Sequence, residues 1–131
     1  MKTILSATAI LVSVLALAFA RDGREQARID FLIREVENAK DLIFIRNGAE
    51  HDAAAAGKHL RMKLNYAGER VRTAEEFVKN CASESSLTHR KYKVRFPGGK
   101  TMDAAEYFAD KLREYDAARS DGAQLAPANR R

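Results

Sequence analysis

The stretch LIFIRNGAEHDAAAAGKHL, residues 42–60, decides how this chain is built. A short apolar run, Leu42-Ile43-Phe44-Ile45, stops at Arg46 and an Asn-Gly pair, and a run of helix formers follows. Length and β-branching favour a strand over 42–45. Asn47 is a capping residue, and Glu50 three places on completes a capping-box pattern. A helix is therefore predicted over 48–67, with Gly68 as its stop. Ala53, Ala56, Leu60, Leu64 and Ala67 make one apolar stripe on it. His51, Ala55, His59, Met62 and Tyr66 make a second stripe at helical steps, so this helix is expected to contact protein on two sides.

Working outward, residues 24–39 carry Ile29, Leu32, Ile33 and Val36 at i, i+3, i+4 and i+7, a helix with Asp22 as N-cap. Phe31 lies off that stripe and points to a second neighbour. Thr73 and Glu76 form a capping box for a short third helix whose face is Ala74, Phe77, Val78 and Cys81. Residues 83–89 read as a polar loop. Tyr92, Val94 and Phe96 alternate with Lys91, Lys93 and Arg95, a half-buried strand. Pro97-Gly98-Gly99 turns the chain, and 100–102 can return as a partner strand. Asp103, with Glu106 three places on, is the cap expected for a fourth helix with the stripe Ala104, Phe108, Leu112 and Tyr115. The expected fold class is α+β: about four helices packed around a small antiparallel sheet or β-hairpin, in a single small domain over 21–119. Residues 120–131 have little to bury and are expected to form a disordered tail.

The chain has 131 residues, a net charge of +5 and one cysteine. Residues 1–20 read as a signal peptide: Lys2 is the positive region, 4–19 the uncharged apolar stretch, and Ala18-Phe19-Ala20 the small-x-small cut. The expectation is a periplasmic protein cleaved after Ala20, touching a membrane only through the uncleaved signal. Cys81 alone cannot make an intrachain disulfide, so packing must hold the domain. Acidic and basic residues are interspersed, and no clustered basic face with aromatics suggests nucleic acid.

The candidate chemistry centres on the opening stretch. Arg46, Asn47 and His51 stand at a predicted helix start, where free N–H groups and the dipole favour an anion. His59 and Arg61 extend that cluster along the helix, and Ser85 and Ser86 can join it from the loop. On one helix His51 and His59 would lie about 12 Å apart, too far to share a metal, so no metal site is predicted. No sequence motif asks for a cofactor. A structural reading competes at the turn, with Asn47 capping, Gly48 relieving the bend and Arg46 paired to an acid. No G-x-S-x-G elbow accompanies the serines. Cys81, on an apolar face, is expected to be an inert core residue.

Three blocks, LIFIRNGAEHDAA…HLRMK, RVRTAEEFVKNCASESSLT and YKVRFPGG, resemble the YfeK-like family of small exported proteobacterial proteins, a domain-of-unknown-function family. The resemblance runs from Arg24 to Leu112 and falls on Arg46, Asn47, Gly48, His51, His59, Leu60, Arg61, Lys63, Thr73, Ala74, Glu75, Ser83, Ser85, Ser86 and Tyr92. Where family members often carry a Gly-Lys-Pro-Tyr-like approach to the strand, this chain has Thr88-His89-Arg90-Lys91-Tyr92. The resemblance implies envelope residence and brings no reaction. The function expected is a non-enzymatic periplasmic protein that binds an unidentified envelope component or protein partner, holding an anionic group at Arg46–His51. The alternatives are a small envelope hydrolase with a histidine base and a serine from 83–86, and a structural protein that dimerises through an apolar face.

Overall fold

The structure is a computed structural model and describes residues 21–124. The signal-peptide reading of 1–20 lies outside the described residues. Helix α1 (Gly23–Asn38) starts where expected, with the Asp22 carboxylate accepting from the Arg24 N–H at 2.8 Å. Its stripe, Ile29, Leu32, Ile33 and Val36, is fully buried and forms the centre of the core. Phe31 does reach a second neighbour, the Tyr115 ring at 4.6 Å.

The opening stretch folds differently from the expectation. Strand β1 (Ile43–Arg46) turns at Asn47-Gly48 straight back into β2 (Ala49–His51). Asn47 and Gly48 have φ of 51° and 78°. Those two left-handed residues are what a two-residue hairpin needs to match the strand twist. The helix predicted from residue 48 is therefore corrected: α2 is Ala53–Ala67, and its N-cap is Asp52, whose carboxylate accepts from the Ala55 N–H at 2.8 Å. Glu50 sits on β2 and pairs with Arg95 at 2.6 Å instead of closing a capping box. Gly68 is the C-cap as expected.

The first stripe of α2 packs inward, with Ala53, Leu60 and Leu64 buried. The second does not pack as expected. Ala55 is exposed, and so are Met62 and Tyr66. Gly57 lets α2 approach α1 closely, since a Cβ there would lie 2.5 Å from Glu37 Cγ of α1.

Helix α3 (Ala74–Phe77) opens on Thr73, whose hydroxyl accepts from the Glu76 N–H. It widens into a π-helical turn at Val78–Ala82 that carries the buried Cys81. Strands β3 (Lys93–Arg95) and β4 (Thr101–Asp103) complete an antiparallel sheet ordered β2-β1-β3-β4. Phe44, Tyr92, Val94 and Met102 face the helices. Glu50, Lys93, Arg95 and Asp103 line the other, solvated face, as a one-sided antiparallel sheet allows. Asp103 is thus a strand residue paired with Lys91 and Lys93, in place of the expected cap. Helix α4 (Ala104–Gln124) buries Ala104, Phe108 and Leu112. It runs through 120–124, which corrects the tail expected from Ser120; residues 125–131 lie outside the described residues. The result is one α+β domain of four helices against a four-stranded sheet.

One buried cation ties three helices together. Arg28 of α1 donates to Glu25, to Glu75 of α3 at 2.6 Å, and to Asp116 of α4 at 2.9 Å. Glu25 also accepts the Ala74 N–H at 2.8 Å, the first of α3.

Candidate functional site

The hairpin register brings the candidate residues together. Phe44 lies opposite His51 and Val94, so all three share the inner face. Arg46, two residues from Phe44, and Tyr92, two from Val94, share it as well. Helix α2 lays Ala56, His59 and Leu60 over this face. Between them is a narrow cleft of about 40 Å³ whose lining includes Phe44, Arg46, His51, His59, Tyr92 and Phe108. Its surface is almost wholly apolar, Arg46 and His51 stand among its lining residues, and no lining residue is acidic. A space of this size admits one methyl-sized group or a water, well short of a whole metabolite.

His59 is the most perturbed group of the cleft. Burial pushes its pKa down to about 4, and the nearby charges of Arg46, Lys63 and His51 push the same way. It is therefore neutral at pH 7. Its Nε2 lies 3.4 Å from the Tyr92 hydroxyl, and Lys63 Nζ lies 3.4 Å from the same oxygen. An ammonium can only donate, so the Tyr92 oxygen accepts from Lys63, and the same hydroxyl is shared with His59 Nε2. Lys63 also donates to the Glu84 carbonyl at 3.3 Å. Among the described residues, no carboxylate pairs with Arg46 or His51. The competing expectation, Arg46 paired to an acid, is not met.

The predicted cluster is thus divided. Arg46, His51 and His59 line one cleft. Asn47 does not cap a helix; its side-chain carbonyl accepts from the Thr88 hydroxyl at 2.7 Å and pins the hairpin turn to the 83–90 loop. Arg61 points to the other flank of α2 and pairs with Glu37 at 2.7 Å. Ser85 is buried, its Oγ accepting from the Leu87 and Thr88 N–H groups. Ser86 opens into a different cavity. Nearness in sequence misplaced Arg61: two residues from His59 on a helix, it faces the other way and meets Glu37. Ser83 donates to the Lys79 carbonyl at 2.7 Å. No serine lines the cleft of the histidines among the described residues. The two histidines do come close, because His51 lies on β2 and not on the helix. Even so, no group of three or more metal-ligating side chains is present among the described residues. Cys81 is buried, and burial pushes its thiol pKa up, away from a reactive thiolate.

Tyr92 and Lys63 were not among the candidate site residues. The available signal was the inward phase of Tyr92 on its strand, which buries a hydroxyl that needs a partner.

Residues 18–116 match a family described only as a family of unknown function, DUF5329. The chain is 38% identical over 92 residues to a protein of Salmonella typhimurium strain LT2 named "Uncharacterized protein YfeK", covering 70% of this chain and 77% of that one. No solved structure matches it. A family match across most of the domain, joined to that identity, establishes the relationship: this chain belongs to the DUF5329 family of unknown function.

Proposed function

We propose that this chain is a non-enzymatic binding protein of the cell envelope, whose cleft receives a methyl-sized group beside an anion at the end of a larger envelope component. The observation that carries the reading is the cleft itself: apolar within, with Arg46 and His51 among its lining residues, and free of carboxylates in its lining. A guanidinium with no protein carboxylate partner is suited to hold a carboxylate through two parallel hydrogen bonds. The small volume favours the end of a group, such as the C-terminal alanine of a peptide, over a free metabolite. Residence in the envelope rests on the signal-like character of residues 1–20.

A thermal-shift screen tests this. The panel is N-acetyl-alanine, N-acetyl-alanine amide, short fatty acids, inorganic phosphate, peptidoglycan fragments and lipopolysaccharide. The free carboxylate is expected to raise the melting temperature and the amide is not. Arg46→Gln, which removes the charge, and Ala56→Leu, which fills the cleft, are each expected to abolish the shift. A panel with no hit, or a hit that survives both substitutions, overturns the reading.

A further inference from the structure

A second cavity lies on the far side of Lys63 from the cleft, between α2 and the π-helical turn. It measures about 300 Å³ and is lined by Lys63, Tyr66, Arg70, Asn80 and Ser86, with Cys81 at its base. No acidic residue lines it, and among the described residues neither Lys63 nor Arg70 has a carboxylate partner. Arg70, which lines the cavity, stacks on the Tyr66 ring at 5.3 Å and donates to the Tyr66 and Ala67 carbonyls. Asn80 and Ser86 add neutral hydrogen-bonding groups.

The surroundings of this cavity are unlike the rest of the surface. The exposed large apolar side chains of the described chain are Met62 at 60%, Tyr66 at 84% and Leu87 at 92%. Tyr66 lines the cavity, Met62 is one helical turn before it, and Leu87 follows the cavity residue Ser86. Scattered exposed apolar residues are ordinary, but here Tyr66 lines a basic cavity and the other two stand within a helical turn or one residue of its lining.

We propose that this cavity and its apolar border dock the protein on an anionic lipid surface, with a headgroup phosphate held by Lys63 and Arg70. A headgroup phosphate complements a cavity that is lined by Lys63 and Arg70 and by no acidic residue, and Tyr66, which lines it, is exposed enough to reach the acyl boundary. Tyrosine suits that boundary, where one end of the ring is apolar and the other wet. One such contact is weak and reversible, and salt screens its electrostatic part. The cavity shares no lining residue with the Arg46 cleft, although Lys63 links the two through the Tyr92 hydroxyl.

Vesicle flotation tests the proposal, using the chain from Arg21. That segment carries every core residue described above, and the apolar 1–20 would bind lipid by itself. At low salt, vesicles of one part phosphatidylglycerol to three of phosphatidylethanolamine are expected to capture the protein at least tenfold better than phosphatidylcholine vesicles. Tyr66→Ser with Leu87→Ser, both exposed positions, is expected to lower capture about tenfold with an unchanged circular dichroism spectrum. Arg70→Gln is expected to abolish the preference for anionic lipid. No capture, or capture indifferent to these substitutions, overturns the proposal. Soluble glycerol phosphate that competes fully at millimolar concentration would assign the cavity to a free phosphate ester and overturn the lipid surface. A dimer in light scattering that is lost in the Tyr66/Leu87 variant would assign the patch to a second copy and overturn it as well.

Discussion

Replacing Arg28 with methionine should be among the most damaging single changes in this chain. Its side chain is 7% exposed and holds Glu25, Glu75 and Asp116, which are 18%, 64% and 41% exposed. Removing one partner from a buried pair costs about 3–5 kcal/mol, because a charge is left unpaired. That figure must be reduced here. Glu75 and Asp116 can turn to water, and only Glu25 stays committed, since it also accepts the Ala74 N–H. A loss of about 2–4 kcal/mol is therefore expected in urea unfolding, or on the order of 10–20 °C in melting temperature for a domain of this size. Arg28→Lys should recover less than half, because an ammonium cannot fork to three carboxylates. The acid limb gives an independent check. The Arg28 hydrogen bond holds the Glu75 pKa below the usual carboxylate range. A carboxylate depressed in the fold contributes stability that is present above its unfolded pKa and lost as pH falls through the folded one. Below about pH 5 the parent should therefore lose stability more steeply than Arg28→Met. A variant within about 0.5 kcal/mol of the parent, with an unchanged acid slope, would refute the claim that this cation ties the helices together.

Other changes probe the parts that shape the cleft. Gly48→Ala places a Cβ at φ 78°, with ordinary 3.6 Å contact to Arg90, so the cost is backbone strain alone, about 1–2 kcal/mol by urea unfolding. Gly57→Ala gains about 1 kcal/mol of helix propensity but meets Glu37 Cγ. It should be neutral or destabilising alone and stabilising in a Glu37→Ala background, as a double-mutant cycle would measure. His59 should titrate near its depressed value of about 4 by NMR. Because the unfolded imidazole binds its proton near pH 6.5, this group should lower stability as pH falls from about 6.5 to 4, and His59→Phe should remove that part of the slope.

How much could be read in advance varied with the physics of each segment. Helix α1 was legible because its four buried residues follow one period and face one core. The alternation Tyr92, Val94, Phe96 was legible for the same reason in a strand. At residues 46–52 two local signals compete. Asn47 can cap a helix or take the left-handed conformation of a hairpin turn, and the return strand is only Ala49–His51 before Asp52 supplies a second cap. The second stripe of α2 shows a different limit. Periodicity tells which residues share a face but not what covers it, and Met62 and Tyr66 are left uncovered. The candidate site was legible in part. Arg46 and His51 meet because of the hairpin, and His59 joins them by packing across the sheet. Arg61, Ser85 and Ser86 were grouped with them by nearness in sequence, which the helix rotation and the loop turn undo.

The cleft is tested most directly by following the Ala56 methyl and His59 imidazole signals by NMR while N-acetyl-alanine is added near pH 7. Both signals should move in a saturable way, His59 should take up its proton at a higher pH in the complex, and the carboxamide analogue or Arg46→Gln should leave both signals still. Equal shifts with acid and amide, or no shift at either reporter, would contradict the binding role assigned to Arg46, His51 and His59.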